Sequence, residues 1–310
     1  MPFLTNRMDD ESNKINITKP FRMVLIFSIL AIVSIFILSC NLFSAPRSNN
    51  PATIHVSAGE SLTAISSDLA SKQVIRHPNI FQTFVYLFKS DKQILKGDYL
   101  FERNSSVWKV AWQIARGKHN INPIKITFKE GTTNEDMANL LESKLINFNK
   151  NEFLNSVSTK QGYLFPDTYF YFPLSTNDEV VSDLTSNFNK KIQSLNKEIS
   201  SSGKNLNDII TMASILEKEA RGKDDAPTIS GILWSRIKRG MLLQVDASPY
   251  TYIKKGLPDE PIANPGISTI EAALRPVNTT YLFYLHDKNG MVHYSNTYKE
   301  HMKNINLYLK

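Results

Sequence analysis

The feature that most constrains this chain is an uncharged, apolar stretch near its N-terminus, MVLIFSILAIVSIFILSCNLF at residues 23–43. A helix rises about 1.5 Å per residue, so about 20 apolar residues cross the roughly 30 Å hydrocarbon core of a bilayer. The stretch therefore predicts a transmembrane helix. Lys19 and Arg22 immediately precede it, whereas only Arg47 follows before Glu60. This charge bias predicts a cytoplasmic N-terminus and an extracytoplasmic remainder.

Two alternatives to a permanent anchor follow from the same stretch. A cleaved signal peptide has a shorter apolar core, of about 7–15 residues, and a small-residue cleavage site that this sequence lacks. The run from Ile37 to Cys40, ILSC, loosely resembles the lipidation motif of bacterial lipoproteins, although Leu38 fits it poorly. Length and flanking charges favour the anchor, and lipidation of Cys40 stays open as an alternative.

The rest of the chain has the composition of a globular protein. Hydrophobic residues make up 42% and charged residues 21% of the sequence, which excludes an intrinsically disordered chain. Cys40 is the sole cysteine, so an intrachain disulfide and a cysteine-based metal site are excluded.

The net charge of +7 suits an anionic partner, but no zinc-finger, RNP or helix-turn-helix signature is present. We therefore expect no nucleic acid partner, and without an HExxH or CxxC set we expect no metal or other cofactor.

Five segments are predicted along the chain. A cytoplasmic tail covers residues 1–22, the transmembrane helix 23–43, and a linker rich in Pro, Asn and Ser 44–53. A small module at 54–118 and a larger domain at 119–310 follow.

The small module begins with a pattern that recurs later in the chain. A strand, a Gly turn, a Ser/Thr cap and an amphipathic helix start at Ile54 and again at Ile126. Between the copies, Gly97–Phe101 predicts a strand and Val107–Arg116 a helix that ends at Gly117. These patterns predict an α+β fold, built either from a duplicated module or from two unrelated β–α units. The first copy also resembles a LysM module, a type associated with glycans that contain N-acetylglucosamine.

The chemistry of the larger domain centres on a strongly helical segment, LNDIITMASILEKEA at Leu206–Ala220. At about 100° per residue, Glu217 lies on the apolar face of this helix, whereas Glu219 points about 120° away from its centre, toward a more polar face. Burial of a carboxyl group favours its protonated form, which suits a general acid near neutral pH. The alternative is a structural Glu217, paired with Arg221 at i+4 or with another base.

Several motifs resemble one family. ASILEKEA at Ala213–Ala220 is similar to the signature of the YceG/MltG family, the membrane-anchored endolytic murein transglycosylases. Further matching motifs follow the family order: GYLFPDTYFY at Gly162–Tyr171, GILWSRIKRGMLLQVD at Gly231–Asp246, GLPDEPIANPG at Gly256–Gly266, EAALRP at Glu271–Pro276 and HYSNTYKEH at His293–His301. The resemblance implies a YceG-like catalytic α+β domain at residues 119–310.

The resemblance also implies an activity. A lytic transglycosylase is a lyase that cuts the bond between N-acetylmuramic acid and N-acetylglucosamine in nascent peptidoglycan. Glu217 matches the family's catalytic acid and would protonate the glycosidic oxygen. The sugar's own C6 hydroxyl would then attack the anomeric carbon and leave a 1,6-anhydro end without water. One acid that later acts as a base suffices, unlike the paired carboxylates of an ordinary glycosidase.

The resemblance implies five substrate-binding residues, namely Gln244, Asp246, Tyr250, Asn264 and Asn296. For Gln244 and Asp246, a helix end followed by a turn is an equal alternative, and for the others a structural role is at least as well supported. The SPYTY run at Ser248–Tyr252 follows LQVD directly, where family members have a longer loop. The preferred length of the glycan strand is therefore left open.

The resemblance finally implies a location and partners. The protein would be a single-pass protein of the bacterial inner membrane, with its catalytic domain in the periplasm beside the peptidoglycan synthases (penicillin-binding proteins). There it would limit strand length during cell-wall elongation. Two rival functions remain: a non-catalytic peptidoglycan-binding scaffold, and a hydrolytic muramidase that uses Glu217 and Asp246 with water. The products distinguish them, because a hydrolase product is heavier by one water.

Overall fold

The structure is a computed structural model that describes residues 23–34, 51–88, 94–220 and 224–310. Residues 23–34 are helical and their side chains are exposed. Within the described ranges, no helix combines the length and the hydropathy that a membrane crossing requires. Residues 35–43 of the predicted span lie outside the described residues, as do the predicted tail at 1–22 and the linker up to residue 50.

The described chain is mostly helical, with short strands between the helices. In chain order the elements are β1 (Ala52–Val56), α1 (Leu62–Ser71), α2 (Pro78–Phe88), β2 (Gly97–Phe101), α3 (Val107–Ala115), β3 (Ile124–Thr127), α4 (Asn134–Glu142), α5 (Lys150–Ser156), β4 (Thr168–Tyr171), α6 (Asn177–Gln193), α7 (Asn196–Ser201), α8 (Leu206–Glu219), α9 (Ala226–Lys238), a 3₁₀ helix (Pro249–Tyr252), α10 (Ile267–Leu274), β5 (Phe283–His286), β6 (Val292–Ser295) and α11 (Tyr298–Tyr308). The predicted mixed α+β class is confirmed.

The described strands form three two-stranded sheets, which pair β1 with β2, β3 with β4, and β5 with β6. The second and third sheets are antiparallel, with Ile124 opposite Tyr171 and Phe283 opposite Ser295. A two-stranded sheet is at best marginally stable in water, so it needs a hydrophobic face against other elements. Ile126 of β3 provides such a face, because it is buried with the residues of α4.

The two predicted β–α units are present in the structure. In the first, the Ser61 hydroxyl accepts a hydrogen bond from the backbone N–H of Ala64 at the start of α1. In the second, Thr133 and Asp136 form a complete capping box at the start of α4. A cap of this kind satisfies backbone N–H groups that the helix cannot pair internally. The strands of these two β–α units pair with different partners, β1 with β2 and β3 with β4.

The chain divides into two compact units. The first contains the described residues within 1–54, 59–94 and 100–118; the second contains the described residues within 55–58, 95–99 and 119–310. In the first unit, α1 packs against α2 and α2 against α3, with Ile65, Phe81 and Ile114 fully or almost fully buried.

In the second unit, α8 lies at the centre of the larger hydrophobic core, where it packs against α9 and α10. Every residue from Ile209 to Leu216 is buried. Met212 and Ile215 share the side of the helix on which Glu219 lies and are fully buried, so this side is packed against other elements rather than open to solvent. A helix that is enclosed on all sides brings both of its C-terminal glutamates against other elements.

Candidate active site

A cleft of about 760 Å³ opens beside the C-terminal end of α8. This volume is within the usual range of small-molecule sites. Its walls come from α8, α9, the loop that follows α9, β5 and α11. The lining side chains with polar or aromatic groups include Glu219, Arg236, Gln244, Asp246, Tyr252, Tyr284, Tyr298 and His301.

Glu219 presents a half-buried carboxylate to this cleft. Its Oε1 accepts a hydrogen bond from the backbone N–H of Ala247 at 3.2 Å, and its Oε2 accepts one from the Tyr284 hydroxyl at 3.2 Å. Across the described residues, Glu219 forms no ion pair. A cleft carboxyl group that is oriented by neutral donors, without a paired cation, is suited to exchange a proton with a ligand.

Tyr284 holds the Glu219 carboxylate as a permanent donor. Burial raises the pKa of Tyr284 well above its ordinary value of 10, and the neighbouring charge of Glu219 raises it further. Its phenol therefore stays protonated at neutral pH. The hydrogen bond to Glu219 fixes the position of the carboxylate relative to β5.

Arg236 is a buried cation on the α9 side of the cleft. Its Nε donates to the carbonyl of Leu282 at 2.7 Å, and its Nη1 donates to the carbonyl of Leu243 at 2.6 Å. The guanidinium also lies over the Phe283 ring, 5.0 Å from its centroid. Burial lowers the pKa of Arg236. Arg236 thus ties both the loop after α9 and the segment leading into β5 to one helix.

The loop after α9 is a tight turn that presents two of the predicted residues to the cleft. Gln244 has a φ of 50°, which is uncommon for a residue with a side chain. Its backbone N–H donates to the carbonyl of Thr251 at 3.1 Å, and the Thr251 hydroxyl accepts from the N–H of Val245 at 3.0 Å. Asp246 accepts a hydrogen bond of 2.5 Å from the Tyr252 hydroxyl, which raises the pKa of Tyr252.

Glu217 lies about 200° around α8 from Glu219 and does not line the cleft. Its Oε2 accepts hydrogen bonds from the backbone N–H of Gly266 at 2.9 Å and from the Thr269 hydroxyl at 2.6 Å. Gly266 is the N-cap residue of α10 and has no side chain to cap that helix. Glu217 accepts from the N–H of the N-cap residue itself, as the N3 acid of a capping box does, and it supplies the negative charge that a helix N-terminus favours.

Asn264, which was predicted to bind substrate, is fully buried. Its Oδ1 accepts from the N–H groups of Gly162 and Leu164 at 2.9 and 3.1 Å. Its Nδ2 donates to the carbonyl of Thr132 at 3.0 Å and to Asn134 Oδ1 at 2.9 Å. All of its hydrogen-bonding capacity is used within the protein, so the structure disagrees with a direct contact to a glycan.

Tyr250 and Asn296 also lie outside the lining of the cleft. The Lys254 ammonium lies over the Tyr250 ring, 4.9 Å from its centroid. Asn296 is exposed just before α11, where its backbone N–H donates to Glu300 Oε2 at 2.9 Å. Of the five predicted binding residues, the structure therefore brings Gln244 and Asp246 to the cleft.

An aromatic wall on α11 completes the cleft. Tyr298 is 64% exposed, and its ring centroid lies 6.0 Å from that of Phe283. His301 stacks on the same Phe283 ring at 5.3 Å. The sequence signal for this wall is the HYSNTYKEH motif. Arg236 lies within the motif at Gly231–Asp246 and Tyr252 within the SPYTY run, whereas Tyr284 lies in none of the motifs. The described part of the chain contains no group of three or more His, Cys, Asp or Glu side chains that could hold a metal ion.

The sequence and the structure of this chain are similar to those of known proteins over most of its length. The sequence model of the YceG-like family matches residues 54–250 and 247–307. The chain is 28% identical to the endolytic murein transglycosylase of Bacillus subtilis (strain 168), over 83% of this chain and 84% of that protein. It is 21% identical to the endolytic murein transglycosylase of Streptococcus pneumoniae serotype 2, over 84% of this chain but 58% of that protein. The crystal structure of a YceG-like protein from Listeria monocytogenes superposes with a TM-score of 0.53 at 27% identity, over 83% of this chain and 99% of that one.

Proposed function

Because this chain belongs to the YceG-like family, we propose that it is an endolytic peptidoglycan transglycosylase, the activity for which its relatives in Bacillus and Streptococcus are named. The proposed substrate is the bond between N-acetylmuramic acid and N-acetylglucosamine within a glycan strand, and the proposed product carries a 1,6-anhydromuramoyl end. The observation that carries the proposal is the Glu219 carboxylate in the cleft, held by Ala247 and Tyr284 and free of any described cation.

In the proposed reaction Glu219 acts first as an acid and then as a base. Its carboxyl proton passes to the glycosidic oxygen, and the bond from that oxygen to the anomeric carbon of N-acetylmuramic acid breaks. The C6 hydroxyl oxygen of the same sugar attacks the anomeric carbon, and its proton passes to Glu219. No water is consumed and the enzyme returns to its starting protonation state. The Tyr284 hydroxyl keeps the carboxylate in place for both transfers.

Asp246 has a second role in this proposal. Its carboxylate lines the same cleft and is oriented by the Tyr252 hydroxyl. Cleavage of a glycosidic bond passes through a transition state with positive charge on the sugar ring. A fixed negative charge stabilises that state, while Gln244 and Tyr298 contact the sugars on either side of the bond.

The sequence motif assigned the acid to Glu217, and the geometry favours Glu219. The Glu217 carboxylate already accepts two hydrogen bonds at the start of α10, where a negative charge stabilises the helix. Glu217 remains the alternative acid. The two assignments are distinguished by comparing Glu217→Gln and Glu219→Gln on purified sacculi. Replacement of the true catalytic acid abolishes the release of anhydro-ended fragments and leaves the fold intact.

A hydrolytic muramidase is the second candidate function, and one observation favours it. Glu219 and Asp246 are two carboxylates on one cleft, the arrangement that ordinary glycosidases use with water. Mass spectrometry of the released saccharides decides between the two, since a hydrolysed end is heavier by one water than an anhydro end. A scaffold without activity releases no new ends at all.

We also propose that residues 23–43 anchor the protein in the inner membrane and that the remainder faces the periplasm. The uncharged sequence of the span and the basic residues before it support this topology. The small module at 54–118 is proposed to be LysM-like and to bind glycan, and the peptidoglycan synthases are the proposed partners. Retention of the protein in carbonate-washed membranes tests the anchor, and the mass of the mature N-terminus tests cleavage and lipidation at Cys40.

A further inference from the structure

A second cavity, of about 490 Å³, lies at the opposite end of α8 from the cleft. Asn207 lines this cavity and Glu219 lines the cleft, which places the two about 18 Å apart along the helix axis. The motifs at Gly162–Tyr171 and Gly256–Gly266 contribute no residue to the cleft, yet both contribute to the wall of this cavity.

The wall of the cavity is held in place by close packing. Gly162 has a φ of 91°, and a Cβ at this position would lie 2.6 Å from the side chain of Pro261. The buried Asn264 side chain binds the backbone on both sides of Tyr163, through the N–H groups of Gly162 and Leu164. The cavity is therefore preformed, as ligand sites usually are.

One side of the cavity is a fixed aromatic ring. Tyr163 is half-buried, and its ring packs edge-on against Phe188 with centroids 5.1 Å apart. Its hydroxyl donates to Asn207 Oδ1 at 3.1 Å, which fixes the ring at its other end. A ring held at both ends offers apolar area at little cost in conformational entropy.

Two polar groups at this cavity have no hydrogen-bond partner among the described residues. Gln161 uses its Oε1 to accept from the N–H of Asn134 at 3.0 Å, which leaves its Nε2 as an unpaired donor. The Thr185 hydroxyl on α6 is also unpaired. Buried polar groups are nearly always satisfied, and each exception requires an explanation. Both side chains line the cavity, where Asp259 and Glu260 add exposed carboxylates.

We infer that this cavity is a second glycan site, which binds an N-acetylated amino sugar away from the point of cleavage. The inference rests on the proposed function. An acetamide group provides a carbonyl for the Gln161 amide and an N–H for the Thr185 hydroxyl. The apolar face of the sugar packs on Tyr163, and its hydroxyls donate to Asp259 and Glu260. A strand that is held about 18 Å from Glu219 is cut within its length rather than at its end.

The probe is a peptide-free tetramer of β-1,4-linked N-acetylglucosamine, added to the purified full-length protein during hydrogen–deuterium exchange. The inference predicts slower exchange at residues 159–163 and 185–189, in addition to the cleft loop at 244–252. Protection of the cleft loop alone, or of neither region, overturns the inference. So does protection of the cavity by a free stem peptide but not by the sugar. Release of anhydro ends from sacculi is measured separately, so failure of the proposed function is distinguished from failure of this site.

Two conservative variants test the contacts. Thr185→Val keeps the shape of the side chain and removes the hydroxyl, while Gln161→Glu keeps the acceptor for Asn134 and removes the donor. Each is expected to weaken the tetramer's affinity, measured from protection at 159–163, by roughly 3- to 10-fold, the effect of one lost hydrogen bond. Gln193→Glu, at the exposed end of α6, is the matched control and should leave this affinity unchanged. Wild-type affinity in both cavity variants contradicts the inference.

Discussion

Glu217 and Glu219 lie two residues apart on α8, and their carboxylates contact different parts of the protein. Glu217 Oε2 accepts a hydrogen bond of 2.6 Å from the Thr269 hydroxyl in α10. Glu219 Oε2 accepts one of 3.2 Å from the Tyr284 hydroxyl in β5. Two residues rotate the side chain by about 200° on a helix, so the two acids point to opposite sides. One of them caps a helix and the other lines the cleft.

The capping role of Glu217 predicts a loss of stability in Glu217→Ala. The variant leaves the N–H of Gly266 without its acceptor and removes a negative charge from the start of α10. We expect the free energy of unfolding to fall by about 1 kcal/mol, the usual size of one lost hydrogen bond or of one charge at a helix N-terminus. Denaturant titration measures this difference. Glu142→Ala, at an exposed position, should change stability by less than about 0.5 kcal/mol. Equal stability of the two variants would contradict the capping role.

Asn264 is expected to be essential for the fold rather than for sugar contact. In Asn264→Ala, the buried N–H groups of Gly162 and Leu164 lose their acceptor and stay unsatisfied. Each such group costs about 1–3 kcal/mol, so we expect unfolding to become easier by roughly 3 kcal/mol or more. The melting temperature of Asn264→Ala is compared with that of Asn296→Ala, whose exposed position makes it the control. A stable Asn264→Ala that binds glycan poorly would restore the predicted role in binding.

The sequence was informative wherever structure depends on near neighbours. The strand at Gly97–Phe101 has the predicted bounds, and the helix predicted for Val107–Arg116 differs by one residue at its end. The caps at Ser61 and Thr133 are in place. Alternation of apolar residues, capping residues and Gly turns are local signals that act within a few residues.

The site could be predicted only in part because its contacts are distant in sequence. The hydrogen bond from Gly162 to Asn264 joins residues 102 positions apart, and that from Thr269 to Glu217 joins residues 52 apart. Helical periodicity indicates which residues share a face, but not which elements cover it. In α8 both faces are covered, so the side of Glu219 that looked polar borders a cleft.

A half-buried histidine, His55, predicts a dependence of stability on pH. His55 contacts Asp98 Oδ1 at 2.6 Å and Glu179 Oε2 at 2.9 Å. Burial lowers the pKa of His55, but the hydrogen bonds and charges of Asp98 and Glu179 outweigh it and raise the pKa to about 9. A pKa above the ordinary 6.5 means that the protonated form stabilises the fold below pH 6.5 and that this contribution is lost as the pH rises to about 9.

The measurement for His55 is the free energy of unfolding across this interval. The wild type should lose stability from pH 6.5 to about 9, and His55→Gln should lose less over the same range. On the acid side, burial raises the pKa of Glu179, but the hydrogen bond and charge of His55 outweigh it and bring the pKa below 4.5. The stability that ionised Glu179 contributes is therefore present above pH 4.5 and is lost as the pH falls further. An identical pH dependence in wild type and His55→Gln would rule out the ion pair as its source.

Tyr298 is expected to contribute to sugar binding without supporting the fold. Its ring is largely exposed on the aromatic wall of the cleft, and packing of a sugar on it removes apolar area from water. Tyr298→Ala should raise the KM for glycan by roughly 3- to 10-fold, as the loss of one aromatic contact typically does. Tyr298→Phe is the matched control and should retain most of the affinity. An unchanged KM in Tyr298→Ala would exclude this contact.

The role of Glu219 as the catalytic acid is tested by the product that the wild type, Glu219→Gln and Glu217→Gln each release from purified sacculi. Glutamine keeps the size of the side chain and removes the transferable proton, whose loss typically lowers the rate by about 10²–10⁴-fold. We predict that Glu219→Gln releases almost no 1,6-anhydro ends while it keeps its wild-type melting temperature. Glu217→Gln should retain most of the activity with a lower melting temperature. Near-normal release of anhydro ends by Glu219→Gln, with loss of release in Glu217→Gln, would contradict the assignment.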